Sequence, residues 1–324
     1  MEQFGYASPK TVKEALALLG SDWNDAALLA GGTDLISMMK EYLATPKTVV
    51  NLKGIKKLHG ITEHGTEVRI GATTTLDDLV SNATIRSQFP SLIQAAMGVT
   101  SPQIRNMGTV GGDLCQRPRC WYFRGGMGLL GVKDGKSLIL DGENRYHAIF
   151  GGGPAYFVSA SSFGPALVAL DAKILIATPT TTRTVKASEF FVSPKDGNTR
   201  EIALAPNEIV TEIEIPRGTT NATYEVRHKE GLDWPLATAS VALKMSGKTI
   251  NSASVVLGHV APTPWNAEAA AQMLAGKTIN ESVAEAAGAA AVKGATPLSQ
   301  NDYKVQLTKV AVKRALLTAA GLLT

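Results

Sequence analysis

Three short stretches rich in glycine and threonine hold the residues of this chain best suited to chemistry with an anion. Gly31-Gly32-Thr33-Asp34 follows a short apolar run, Ala26–Ala30, and leads into a helical pattern from Leu35 to Leu43. A strand that turns straight into a helix leaves the first helical N–H groups without partners, and those groups attract phosphate. Gly31 and Gly32 have no Cβ to hold a phosphate away, and Thr33 adds a hydroxyl. A carboxylate at Asp34 would repel an anion if it pointed inward, so it is expected to cap the helix instead. Gly71-Ala72-Thr73-Thr74-Thr75 and Gly108-Thr109-Val110-Gly111-Gly112-Asp113 offer two further sets of main-chain donors. Three such turns, each beside an expected strand, suit a diphosphate-bridged dinucleotide held by backbone.

Other chemistries find less support. None of the turns is a Gly-x-x-x-x-Gly-Lys-Ser/Thr loop, so ATP hydrolysis is not indicated. Gly126-Met-Gly128-Leu-Leu-Gly131 matches the dinucleotide fingerprint as a string, but Lys133-Asp-Gly135, a turn signal, follows it. The fingerprint has meaning only between a strand and a helix, so this match reads as chance. His59, His64, His147, His228 and His259 are scattered without zinc-site spacing, and no Gly-x-Ser-x-Gly elbow occurs. Cys115 and Cys120 are the only cysteines and read as two isolated thiols. They exclude a disulfide scaffold, and this chain alone cannot build a four-thiolate metal site. Lys229 and Asp233 either reach back over a cleft between domains or form a surface strand end, with Trp234 beside them as core.

The elements that must position these residues follow from local patterning. Thr11 and Glu14 bracket a helix start, with Val12, Ala15, Leu16 and Leu19 on one face and Gly20 as its stop. Lys47–Leu52 reads as a strand, and His59–Thr62 pairs with Glu67–Ile70 around Gly65. Helices are expected from Thr75 through Val80 and from Ser87 to Ala96, with Asn106–Gly112 as a loop. Residues 117–153 are dense in glycine and lack periodicity, an irregular excursion. Strands follow at Ala155–Val158, Ala172–Ala177 and Glu212–Ile215, with a helix at Gly164–Leu170. Polar turn residues from Arg217 to Ala222 mark a boundary. Beyond it come strands at Tyr224–His228, Thr238–Lys244 and Ser252–His259, then helices at Asn266–Leu274, Glu281–Val292 and Asn301–Ala319.

The composition agrees with a folded chain of more than one domain. It has 324 residues, 44% hydrophobic and 19% charged, with a net charge of +4. That balance is too weak for an obligate nucleic-acid binder yet tolerates an anionic cofactor. No basic n-region with an apolar stretch opens the sequence, and no apolar run reaches the ~20 residues of a membrane span. The expected location is the cytoplasm, or the periplasm by export with a partner subunit.

Leu29-Ala-Gly-Gly-Thr-Asp-Leu35, Ile70-Gly-Ala-Thr-Thr-Thr-Leu76, Pro102-Gln-Ile-Arg-Asn-Met-Gly-Thr-Val-Gly-Gly112 and Gly258-His-Val-Ala-Pro-Thr-Pro264 together resemble the FAD-binding medium subunit of the molybdenum hydroxylases. That family includes the xanthine dehydrogenase, carbon monoxide dehydrogenase and aldehyde oxidoreductase flavoproteins. The resemblance spans essentially the whole chain. It implies a mixed α/β (α+β) fold: a two-lobed FAD-binding domain of the vanillyl-alcohol-oxidase/PCMH type, then a C-terminal sheet-plus-helices domain. The expected division is 1–216 (lobes about 1–54 and 55–216, with 117–153 inserted) and 217–324. Implied FAD contacts are Leu29, Ala30, Gly31, Gly32, Thr33, Asp34, Leu35, Gly71, Ala72, Thr73, Thr109, Val110, Gly111, Gly112, Asp113 and Ser162, with Lys229 and Asp233 across the cleft.

The same resemblance implies a relay. Electrons would arrive from a small [2Fe–2S] subunit, beside a large molybdopterin subunit, and leave for an external acceptor. The segment after the second loop is similar to a branch, including periplasmic-type aldehyde oxidoreductases, in which four cysteines hold a [4Fe–4S] cluster. Only Cys120 matches that pattern, so the cluster is expected to be absent. Ser161-Ser162-Phe163 stands where such flavoproteins commonly show Ser-Asp-Leu, and Asp113 where Asn is usual. Those departures leave room for two rivals: an assembly subunit that has lost FAD, and a stand-alone NAD-type oxidoreductase that would need Gly126–Gly131 to open a helix.

Overall fold

A computed structural model of the protein describes residues 1–99, 101–229 and 233–323. β1 (Gly5–Ala7), α1 (Val12–Leu16), β2 (Ala26–Leu29), α2 (Leu35–Lys40) and β3 (Thr48–Asn51) form the first lobe, with β3 central in a parallel three-stranded sheet. Parallel neighbours need a crossover, and the two short helices supply it. Thr11 caps α1 by accepting the Glu14 N–H, while the Glu14 carboxylate takes the Lys10 N–H at 2.8 Å. Both helices are shorter than their apolar spacing predicts. α1 stops at Leu16, and α2 at Lys40, where Tyr42 turns to φ 59°.

The second lobe is built on an antiparallel sheet. β4 (Ile61–His64) and β5 (Glu67–Gly71) make the expected hairpin, and α3 (Leu76–Ser81) opens on a full Thr75–Asp78 capping box. The single helix expected over Ser87–Ala96 is two, α4 (Ala83–Gln88) and α5 (Pro90–Gly98). Pro90 cannot continue the first helix but suits the first position of a new one. The loop expected at Asn106–Gly112 is also helical at both ends. α6 (Pro102–Met107) and α7 (Val110–Cys115) meet at Gly108, with the Thr109 hydroxyl capping α7 by accepting the Gly112 N–H. Glycine content concealed this: Gly111 and Gly112 sit in a helical turn that a neighbouring strand end stabilises.

The inserted segment carries α8 (Trp121–Arg124) and a hairpin of β6 (Val132–Lys133) and β7 (Lys136–Ser137). Gly126–Gly131 forms turns and opens no helix. Ala155–Val158 is not a strand either. Ala148 donates to the Tyr156 carbonyl and Gly153 to that of Ala155, so the main chain is bonded irregularly. α9 (Gly164–Ala169), β8 (Lys173–Ala177), β9 (Thr182–Lys186), α10 (Ala187–Phe190) and β10 (Ile209–Pro216) complete the lobe, with sheet order β4-β5-β10-β8-β9. β9 escaped the sequence reading because its face is polar apart from Val185. Inward residues such as Ile70, Ile174, Ile176 and Ile213 pack against Leu79, Phe89 and Leu167 of the helices to form the core.

Arg217, Gly218 and Thr219 lead into the C-terminal domain. There β11 (Thr220–Val226), β12 (Ala237–Ser246), β13 (Thr249–Gly258) and β14 (Trp265–Asn266) form an antiparallel meander. α11 (Glu268–Leu274), α12 (Glu281–Ala291) and α13 (Tyr303–Ala319) cover one of its faces and enclose a second core. α13 also pins the inserted segment: the buried Lys304 ammonium donates to the carbonyls of Tyr146, His147 and His259, the last at 2.7 Å. Among the described residues no helix is long and apolar enough to cross a membrane.

Candidate cofactor site

The three glycine-threonine turns converge on one wall, and two glycines explain why they can. A Cβ on Gly31 would lie 2.1 Å from the Met107 carbonyl oxygen, and one on Gly111 would lie 2.8 Å from the Ala72 Cβ. The absent side chains therefore face neighbouring turns, not a ligand as the spacing suggested. Hydrogen bonds lock the arrangement: Leu76 N–H to Gly108 O at 3.0 Å, Val110 N–H to Thr74 O at 3.0 Å, and Gly111 N–H to Ala72 O at 2.9 Å. A cavity of about 480 Å³ opens along this wall, within the usual range for a small-molecule site.

The two diglycine turns differ in what their amides do. In the second turn the N–H groups of Val110, Gly111, Gly112 and Asp113 all have acceptors within the chain. In the first turn, among the described residues, the N–H groups of Gly31, Gly32, Thr33, Asp34 and Leu35 have none. Gly31, Gly32, Asp34 and Leu35 are half-buried and Thr33 is exposed, so this run of five donors at the mouth of a cavity is open to solvent or to an anionic ligand.

Asp34 heads α2 but makes no capping bond. Its carboxylate instead accepts the Arg117 N–H at 2.8 Å and the Arg124 guanidinium at 2.8 Å, with Arg119 Nη2 at 3.1 Å. The expectation that it caps the helix is thus corrected, while the objection that it repels phosphate is answered. Two guanidiniums and an N–H surround one negative charge, leaving the turn locally positive. Arg119 also donates to Gln116 at 3.0 Å and lies 4.7 Å over the Trp234 ring, so it joins the first lobe, α7 and the C-terminal domain. Burial lowers the Arg119 pKa, against the pull of Asp34.

Asp113 has a different task. Its buried carboxylate accepts from the Ser161 hydroxyl, from Ser162 N–H at 3.2 Å, from Phe163 N–H at 3.1 Å and from Gln116 at 2.9 Å. Burial pushes its pKa up, and these donors pull it back. The acid that the resemblance places at 162 thus stands at 113, bonded to the main chain of 162.

Of the residues singled out from sequence, Ala30 to Leu35, Ala72, Thr73, Thr109, Gly111 to Asp113, Ser162 and Asp233 line the cavity. Leu29, Gly71 and Val110 do not. Gly71 and Val110 are buried behind the wall, Val110 within the second-lobe core. Lys229 is exposed and makes no lining contact. Trp234, expected in the core, is instead 42% exposed and lines the cavity at the domain junction. The sequence reading missed the cavity's arginines, Arg117, Arg119 and Arg200, and its Trp23. Gln116-Arg-Pro-Arg119 held a readable signal, two guanidiniums beside a thiol. Arg200 held none, since it lies outside any helix or strand, far along the chain.

Cys115 is half-buried and lines the cavity, and desolvation pushes its thiol pKa up to about 12, which keeps it protonated at neutral pH. Cys120 Sγ lies 3.2 Å from His147 Nε2, whose imidazole burial holds neutral with a pKa near 4. Among the described residues no three His, Cys, Asp or Glu side chains gather as a metal site.

A cavity running between two lobes, a turn of unpartnered amides and a guanidinium beside it fit a dinucleotide with a diphosphate bridge. The fold and site define a two-lobed FAD-binding flavoprotein. Residues 2–218 match the family described as "FAD binding domain in molybdopterin dehydrogenase", and residues 222–319 match "CO dehydrogenase flavoprotein C-terminal domain". The chain is 33% identical to the carbon monoxide dehydrogenase medium chain of Hydrogenophaga pseudoflava, covering 98% of this chain and 97% of that one. It is 30% identical to the aldehyde oxidoreductase FAD-binding subunit of Escherichia coli, covering 98% and 99%. The solved carbon monoxide dehydrogenase of Hydrogenophaga pseudoflava superposes with a TM-score of 0.76 at 32% identity over 100% of this chain and 99% of that one. The chain belongs to the FAD-binding medium subunits of the molybdenum hydroxylases. It is an oxidoreductase flavoprotein subunit and FAD is its cofactor.

Proposed function

We propose that this chain is the electron-transfer subunit of a three-subunit molybdenum hydroxylase. It would take electrons from a small [2Fe–2S] subunit, with substrate oxidised on a large molybdopterin subunit, and pass them to an external acceptor. The observation that carries this reading is the run of unpartnered amides from Gly31 to Leu35, set in a cavity that extends to the domain junction. Bound FAD supplies the exchange between one-electron and two-electron carriers, which no side chain here provides.

The residues of this chain supply position and charge. The N–H groups of Gly31 to Leu35 hold the diphosphate, with the Thr33 hydroxyl and the Thr109 N–H as further donors and Arg119 adding positive charge. Ala30, Ala72, Thr73, Gly111 and Gly112 shape the wall. Asp113 fixes the turn carrying Ser162, and Asp233 faces the cavity from the C-terminal domain. We place the boundary between the two domains at residues 216 and 217, and the lobe division near residue 54. The test is co-purification from cells expressing the three subunits, followed by an absorption spectrum with iron and molybdenum analysis. The expected complex carries flavin, iron and molybdenum together. A complex with both metals and full activity but no flavin contradicts the proposal.

A further inference from the structure

Two arginine–tryptophan pairs line the cavity, and they are not equivalent. At the domain junction Arg119 lies over Trp234 while its guanidinium is held by Asp34 and Gln116. Beside the start of β2, the Arg200 guanidinium lies 3.9 Å from the Trp23 ring centroid, and both residues line the cavity. Among the described residues no carboxylate lies within ion-pair distance of Arg200 and no acceptor takes its N–H groups. Neighbouring Arg117 pairs with Glu201 instead. Burial and the nearby Arg117 charge bring the Arg200 pKa down to about 10, so it stays cationic at neutral pH.

The cavity runs in two directions from the unpartnered amides of Gly31 to Leu35. A ring that trades electrons with other subunits belongs at the accessible junction, where Trp234 is 42% exposed. The other direction follows β2 to Trp23 and receives the remaining half of the dinucleotide. A purine offers ring-nitrogen acceptors and a flat π-face, and a guanidinium seated on an indole offers planar donors and a cationic surface. We propose that Arg200 and Trp23 form the adenine subsite and set the preference of this chain for FAD over flavins that lack the adenylate half. The inference rests on the electron-transfer reading above for the direction of the cofactor.

The test follows quenching of FAD fluorescence by the purified, flavin-depleted full chain, with ADP and inorganic pyrophosphate as competitors. Arg200→Met is expected to weaken FAD and ADP at least tenfold while the pyrophosphate competition constant changes less than twofold. Arg200→Lys, which keeps the charge but loses the planar fork, is expected to behave like Arg200→Met. Thermal unfolding of the flavin-free variants within a few degrees of the parent excludes a folding defect, and Trp23→Leu serves if one appears. Equal losses for ADP and pyrophosphate would assign Arg200 to phosphate and overturn the adenine subsite. Unchanged ADP affinity overturns it as well. Failure of the parent chain to bind FAD would instead strike the reading of the cavity itself.

Discussion

The turns at Gly31–Leu35 and Thr109–Asp113 share their residue types, yet one offers its main chain and the other holds the wall in place. Five consecutive N–H groups of the first have no acceptor among the described residues, while those of Val110 to Asp113 are all engaged. The aspartates follow the same division. Asp34 ties the inserted segment to the first turn through Arg117, Arg119 and Arg124, and Asp113 ties Ser161–Phe163 to the second. Glycine-rich composition marks a close approach of backbone, and only the hydrogen-bond partners tell whether a ligand or another turn makes that approach.

In the holding turn, side-chain changes should show first in stability. Asp113→Ala leaves the Ser162 and Phe163 N–H groups and the Ser161 hydroxyl without their acceptor, and is expected to cost about 3 kcal/mol in denaturant unfolding. Gly111→Ala drives a methyl against Ala72 and should cost roughly 1–3 kcal/mol. An unchanged midpoint for either variant would break the assignment of this turn as structural.

A pH series sharpens the picture at the edge of the same cavity. Glu225 on β11 packs its carboxylate against Gly98, with neither oxygen partnered among the described residues and Arg227 3.9 Å away. Burial, aided by the Asp113 charge, raises its pKa to about 8. The folded state therefore binds this proton more tightly than the unfolded state. The stability it contributes is present in the protonated form and declines as pH rises from the ordinary carboxylate range toward 8. Glu225→Gln is expected to gain about 1–3 kcal/mol over the parent at pH 8.5 and far less at pH 4.5. A stability difference independent of pH would contradict this.

Apart from Gly31, where an added Cβ would strike the Met107 carbonyl, and Gly32 at φ 75°, the offering turn should respond weakly to side-chain change, because its donors are backbone. Thr33→Val is expected to weaken FAD by about 1 kcal/mol or less in fluorescence titration, with no change in unfolding. Asp34→Asn removes the charge that gathers Arg119 and Arg124, and should cost about 1 kcal/mol of stability while exposing residues 117–124 to proteolysis. A loss of FAD affinity at Thr33→Val as large as a full lost site would mean that side chains, not amides, carry the diphosphate.

Much of this was legible in the sequence. The β5 hairpin, the capping box at Thr75, the three C-terminal helices and the convergence of the glycine turns follow from local chemistry and spacing. What escaped depended on partners distant in sequence. Asn106–Gly112 reads as loop because glycine is a poor helix former, but Thr109 and the Ala72–Thr74 main chain stabilise α7. Asp34 reads as a cap because its position is right, but three donors from residues 117–124 compete for it. Arg200 and Trp23 meet only through the fold, 177 residues apart, so no local pattern could join them.

Residue-resolved amide hydrogen exchange, with and without FAD, tests the division between the two turns most directly. The expected result is fast exchange at Gly31 to Leu35 in the flavin-free chain, strong slowing there on adding FAD, and slow exchange at Val110 to Asp113 in both states. Exchange at Gly31 to Leu35 that ignores FAD, while Val110 to Asp113 becomes protected only when it binds, would contradict the account.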